Sequence, residues 1–256
     1  MTPAVEFVGT GKVYRTGFLM RRIEALRDLT LRVEPGEIFG FIGPNGAGKT
    51  TTIKILAGLH ESTSGEARIF GVDHRDPKAR SRMGFLPERP YFYLHLTARE
   101  VLRFYGQLSL VDDAEIASRT ERLLERVELT RFADVPLRKY SKGMLQRVGL
   151  CQALLHDPDL VVLDEPMSGL DPMGRALVSS LIREEQEAGR TVFFSSHILH
   201  DVETLCDRVA IIIGGQLRAL GPVEELVSEH GNLEDAFLSE VDRSTPVDPK
   251  KLGVMA

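Results

Sequence analysis

The chain has 256 residues, 43% of them hydrophobic and 27% charged, with a formal net charge of -5 at pH 7. That length suits one large domain, or one core with an inserted subdomain, and the composition is that of a globular protein. The acidic balance disfavours a nucleic-acid binder, which needs a basic stripe to release counterions, and no run approaches the roughly 18 apolar residues of a membrane span.

From the N-terminus, residues 4–8 and 26–33 read as strands flanking a loop. Glu6 and the lack of a leader-like apolar run argue against a signal peptide, so a cytoplasmic setting is expected. Cys151 and Cys206, in apolar helix-like settings, are expected as small core residues in a reducing compartment. "RTGFLMRRIE" (15–24) reads as a lengthened hairpin loop rather than a lipid contact, because ten residues make a poor amphipathic helix. "EIFGFIG" (37–43) is a short buried strand, and residues 49–58 have helical periodicity. Further strands are expected over 66–73 and 82–88.

From about Thr97 to Asp157 the pattern turns helical, with apolar residues at three- and four-residue intervals. Strand patterns resume at 160–166, 191–197 and 208–221, with a helix over 173–188. A parallel sheet interrupted by a helical insert is the simplest arrangement. After Gly221 come two short helical stretches, then a loose tail.

"GPNGAGKT" (43–50) fits G-x-x-x-x-G-K-[ST], and it follows a strand while opening a helix, as a phosphate loop must. Glycines let the backbone wrap close to phosphate oxygens, and free amides at the helix start supply donors. Lys49 adds a point charge on the outer phosphates, and Thr50 offers a hydroxyl to Mg2+. "LVVLDEP" ends an apolar run with Asp164 and Glu165, at the carboxyl end of a strand where open parallel sheets bind ligands. Asp164 suits an Mg2+-holding role, and Glu165 suits orienting an attacking water. His197 follows another apolar strand and is placed to donate to a γ-phosphate, although a lone histidine at a strand end is often structural. The absence of an N-K-x-D base-reading motif disfavours a guanine-nucleotide switch.

The ordered set "GPNGAGKT", "YSKGMLQR" (140–147), "LVVLDEP", "MSGLD" (167–171) and His197 resembles the ATP-binding cassette (ABC) ATPases over about residues 4–222. The resemblance implies an α/β P-loop core, a parallel sheet flanked by helices, with an N-terminal antiparallel β-subdomain and an inserted helical subdomain. The division expected is core and β-subdomain at 1–87 and 158–222, helical subdomain at 88–157, and an extension at 223–256. It further implies ATP binding by Gly43, Pro44, Asn45, Gly46, Ala47, Gly48, Lys49, Thr50 and Thr51, with Tyr14 stacking on adenine. Glu165, His197 and Lys49 take the catalytic roles, and Thr50, Asp164 and Glu88 face Mg2+.

Glu88 stands where most of the family has glutamine, and a glutamate there keeps the acceptor but adds charge and loses the amide donors. Ser141, Lys142, Gly143 and Met144 occupy the motif that covers the ATP of a second subunit, and Asp171 matches the loop communicating between subunits. Ser141 alone also reads as a helix cap. "LPE" together with "YSKGM" resembles the subset serving ABC-2-type exporters. The implied partners are a separate multi-span permease at the cytoplasmic face of the membrane and a second cassette, identical or not, without nucleic acid. The competing reading is a soluble non-transport cassette of the DNA-repair or translation type, although the coiled-coil insert or second cassette of those types is missing from this sequence.

Overall fold

The computed structural model describes residues 2–17 and 21–244. The expected features at Phe18, Leu19 and Met20, and in the tail from residue 245, lie outside the described residues. Strands β1 (Val5–Thr16) and β2 (Arg21–Val33) form an antiparallel hairpin, and β3 (Ile38–Ile42) leads into helix α1 (Lys49–Leu56). Strands β4 (Ser64–Ile69) and β5 (Val72–Asp73), the short helix α2 (Pro77–Arg80) and strand β6 (Met83–Leu86) follow. Helices α3 (Ala98–Leu108), α4 (Asp113–Arg126) and α5 (Lys142–Leu154) are inserted before β7 (Leu160–Asp164). Then come α6 (Pro172–Glu187), β8 (Thr191–Ser196), α7 (Leu199–Leu205), β9 (Arg208–Ile213) and β10 (Gln216–Pro222). Helices α8 (Val223–His230) and α9 (Leu233–Ser244) end the described chain.

Among the described residues the strands make two sheets. One is antiparallel, in the order β2-β1-β4-β5, and the other runs β10-β9-β3-β8-β7-β6. The second is parallel from β9 to β6, with β10 added antiparallel at one edge. Every residue of β3, β7 and β8 is buried, because both faces of this sheet are covered. Alternation sends Ile38, Ile42, Val161 and Leu163 into one apolar cluster shared with the inserted helices, and Phe39, Phe41, Leu160 and Val162 into a second. This second cluster also takes in Phe7, Leu29 and Leu31 of the antiparallel sheet and Ile53 and Ile55 of α1. A strand buried on two faces reads as a continuous apolar run, which is why these were legible.

Several boundaries differ from expectation. The stretch 66–73 is two strands, separated by a turn in which Phe70 and Gly71 both have positive φ. Residues 208–221 are likewise a hairpin, turned by Gly214 and Gly215, both left-handed. The first hairpin is longer than expected, because Gly9 and the register shifts between Phe7 and Val13 break the alternation a strand displays in sequence.

The inserted helices are tied to the core by charge as well as by apolar packing. Glu185 of α6 is 3% exposed and accepts from Arg126 of α4 at 2.7 Å and from Arg190, which also reaches Asp157. Removing the carboxylate leaves two guanidinium groups facing a buried gap. Glu185→Ala is expected to cost about 3 kcal/mol of stability, the low end for a broken buried pair because both arginines are about a quarter exposed. A fall in the urea midpoint measures it, and an unchanged midpoint would mean water screens the network.

Candidate active site

Four adjacent strands, β3, β8, β7 and β6, run parallel, so their carboxyl ends lie side by side. The phosphate-loop residues follow β3, His197 follows β8, Asp164 and Glu165 close β7, and Glu88 lies two residues beyond β6. Residues 44–51, Glu88, Glu165 and His197 accordingly line one cavity of about 320 Å3. The loop itself is feasible only with glycine at two points. A Cβ on Gly43 would stand 2.3 Å from the Ile212 carbonyl oxygen, and Gly48, at φ +112, would meet the Ala25 carbonyl oxygen at 2.7 Å. Gly48 caps α1 without a side-chain bond, leaving the first-turn amides available.

Lys49 is 7% exposed, and its ammonium donates to the Gly43 carbonyl at 2.6 Å. It also lies 3.7 Å from the Glu165 carboxylate. Burial lowers the Lys49 pKa, while the nearby carboxylates of Glu165, Asp164 and Glu88 oppose that shift. Asp164 is 3% exposed and accepts a 2.7 Å bond from the Ser195 hydroxyl. Burial raises its pKa, opposed by the hydrogen bonds from Ser195 and Thr50.

Glu165 has φ +52, a left-handed backbone that costs a non-glycine residue about 1–3 kcal/mol. Its amide is held by the Ser195 carbonyl at 3.2 Å and the Ser195 hydroxyl at 3.1 Å. The bend turns the side chain into the cavity, where Oε2 shares a 2.7 Å hydrogen bond with His197 Nδ1 and accepts from the His197 amide at 3.3 Å. That bond occupies Nδ1 and leaves Nε2 as the remaining ring nitrogen. Glu88 is half exposed in the cavity wall, with Arg89 Nε at 3.9 Å from its carboxylate. Tyr14 sits beside the loop, its hydroxyl 3.5 Å from Thr51 Oγ1 and 2.6 Å from His60 Nδ1.

The motif at 140–147 lies elsewhere. Ser141, Gly143 and Met144 line a separate cavity of about 650 Å3 together with Asp171. Ser141 caps α5 by accepting from the Met144 amide at 3.2 Å, and Asp171 caps α6 by accepting from Gly174 at 2.7 Å. Lys142 lies against the 165–171 loop, where a Cβ on Gly169 would come within 2.6 Å of its ammonium. Tyr140 is 8% exposed and donates to the Phe132 carbonyl at 2.7 Å, so this residue serves the insert's core. Within one chain, then, the structure brings together Lys49, Thr50, Asp164, Glu165, His197 and Glu88, but not residues 141–144.

The sequence pattern of the family described as ABC transporter matches residues 26–168, more than half of the chain. The chain belongs to the ABC transporter family. This ABC chain is 46% identical over 236 residues to an uncharacterized ABC transporter ATP-binding protein of Synechocystis sp., a match covering 90% of this chain and 66% of that protein. It is 38% identical over 202 residues to the Nod factor export ATP-binding protein I of Cupriavidus metallidurans, covering 78% and 67%. The dimeric structure of a post-hydrolysis state of an ATP-binding cassette bound to ADP and Pi superposes with a TM-score of 0.78 at 26% identity, covering 85% of this chain and 98% of that one. The ABC chain thus spans just under two thirds of the length of the first of these relatives.

Two residues that hold these side chains are not marked by the motifs in the sequence. Ser195, which holds both Asp164 and the Glu165 amide, had a signal: it is a hydroxyl at the carboxyl end of an apolar strand. His60 had none, being 46 residues from the tyrosine it bonds. The oxygen donors suit Mg2+. Among the described residues no group of three or more His, Cys, Asp or Glu forms a metal cage. Mg2+ ordinarily takes one or two carboxylates plus substrate phosphates, and Asp164, hydrogen-bonded by the Thr50 hydroxyl, offers one such carboxylate. No helix among the described residues is long and apolar enough to cross a membrane.

Proposed function

We propose that this ABC chain binds and hydrolyses ATP as the motor subunit of a membrane exporter, paired with a second cassette. The observation that carries the reading is the separation of its two motifs. The phosphate loop and carboxylates converge on one cavity, while Ser141, Gly143 and Asp171 line another. A second copy packed head to tail sets residues 141–144 of each chain over loop 43–51 of its partner, closing two shared sites. The ADP- and Pi-bound neighbour is dimeric, which supports the pairing.

In that site the loop amides and Lys49 hold the phosphates, with Tyr14 stacking on the base. Thr50 and Asp164 would hold Mg2+, which would supply charge neutralisation to the phosphates. Glu165 accepts a proton from the attacking water as it closes on the γ-phosphorus, and the bond to the bridging oxygen of the leaving ADP breaks. His197, its Nδ1–H held by the Glu165 carboxylate, turns Nε2 towards the γ-phosphate and donates to it when the ring carries both protons, and Ser141 of the partner donates from the opposite side. Asp171 caps α6 at the facing surface and relays between subunits. Export rests on "LPE" with "YSKGM" and on the relative named for Nod factor export. A separate multi-span permease docks at the cytoplasmic face, where residues 88–102 adjoin an open groove of about 520 Å3 lined by Pro87, Tyr91, Tyr105 and Leu108. The same reading divides the chain into core and β-subdomain (1–87 and 158–222) and helical subdomain (88–157).

Mixing decides the pairing. Ser141→Arg and Lys49→Ala are each expected to abolish ATP-driven dimerisation and hydrolysis alone. Combined, they leave one intact composite site in each mixed pair, and hydrolysis returns. Failure of mixing to restore either property overturns the shared site.

A further inference from the structure

Tyr14 and His60 share a 2.6 Å hydrogen bond, shorter than the 3.5 Å contact of the same phenol with Thr51. The two rings cross at 72° with centroids 5.6 Å apart. A bond to the phenol oxygen grips the ring at its rim and leaves stacking to its faces, and the ammonium of Lys12 lies over the ring at 5.1 Å. Lys12 is itself anchored, donating to the Glu61 carbonyl at 2.6 Å.

The placement of His60 follows from α1. That helix ends at Leu56, Gly58 turns with φ +69, and the amides of Leu59 and His60 both return to the Lys54 carbonyl, at 2.9 and 3.0 Å. Eight residues of helix are about 12 Å long. One end of α1 therefore presents the phosphate loop, and its exit presents the residue that holds the tyrosine. A single rigid element sets the spacing between them. Burial lowers the His60 pKa, with Lys54 and Lys12 adding to the effect, which favours the neutral imidazole in this bond.

We propose that His60 is a positioning residue for the nucleoside base: through the phenol of Tyr14 it fixes the stacking ring at a set distance from the phosphate loop. This rests on Tyr14 stacking on adenine, as proposed above. Losing one hydrogen bond that pre-organises a stacking ring corresponds to about a three- to tenfold loss of affinity.

The test is calorimetric titration of the full chain with ATP and, separately, with inorganic tripolyphosphate, which has no base. His60→Ala is expected to weaken ATP by about three- to tenfold and leave tripolyphosphate unchanged, which also verifies the fold. Tyr14→Phe, which keeps the ring but loses the oxygen, is expected to match it, and the double variant to be no worse than either single one. His60→Asn, which restores a side-chain amide near the Nδ1 position, is expected to recover most of the loss. If Tyr14→Ala weakens ATP but His60→Ala does not, the role of His60 falls and the stacking of Tyr14 stands. If His60→Ala weakens ATP and tripolyphosphate alike, His60 acts on the phosphate loop and the proposal is overturned. If Tyr14→Ala changes nothing, the stacking reading fails and takes the proposal with it.

Discussion

Glu165→Gln is expected to slow hydrolysis by about 10²- to 10⁴-fold while ATP affinity stays within about threefold of wild type. The substitution preserves length and shape, so the left-handed backbone and the Ser195 clasp on the residue 165 amide are unaffected. What disappears is the acceptor for the proton of the attacking water. The amide still reaches His197, so phosphate contacts persist. Lys49, 3.7 Å from the carboxylate, loses one counter-charge and keeps Asp164 nearby. Binding without turnover means that the ATP-bound pair accumulates, as a stable dimer on size exclusion with ATP. Single-turnover release of phosphate reads the chemical step directly. Near-normal release would remove Glu165 from the base role.

Lys49→Ala has the largest expected effect on binding, weakening ATP by on the order of 10- to 100-fold. Two losses combine. A charge-assisted bond to the outer phosphates disappears, and the carboxylates of Asp164 and Glu165 are left beside the phosphates without the ammonium that offsets them. Lys49→Arg is not expected to restore affinity, since the ammonium fits within 2.6 Å of the Gly43 carbonyl and a planar guanidinium is wider. Titration with a slowly hydrolysed ATP analogue measures both variants, and unchanged affinity in Lys49→Ala would overturn the phosphate-loop role.

How far the sequence could be read follows from what makes each feature. The fully buried strands at 38–42, 160–164 and 191–196 were visible because burial on two faces writes an unbroken apolar run. The phosphate loop was visible because its glycines and lysine sit in fixed register within eight residues. The β1–β2 hairpin was only half visible, because Gly9 and Gly11 interrupt it and one of its faces is exposed. Helix α7 went unread, since seven residues give too little periodicity to count. Contacts across long sequence separations left the least trace. The Glu165–His197 and Tyr14–His60 bonds join residues 32 and 46 positions apart, and nothing in a single sequence pairs them. The left-handed conformation of Glu165 was equally silent, because glutamate at that position gives no sign of the bend it adopts.

The wide placement of Ser141 and Lys49 on one chain also has a kinetic meaning. In the proposed pairing an isolated subunit holds two incomplete halves and no whole site, so dilute chains spend no ATP. The rate then rises with the square of subunit concentration until pairing saturates. A permease that holds two cassettes side by side replaces bulk concentration with a far higher local one. Assembly itself would therefore act as the first switch, before any substrate arrives.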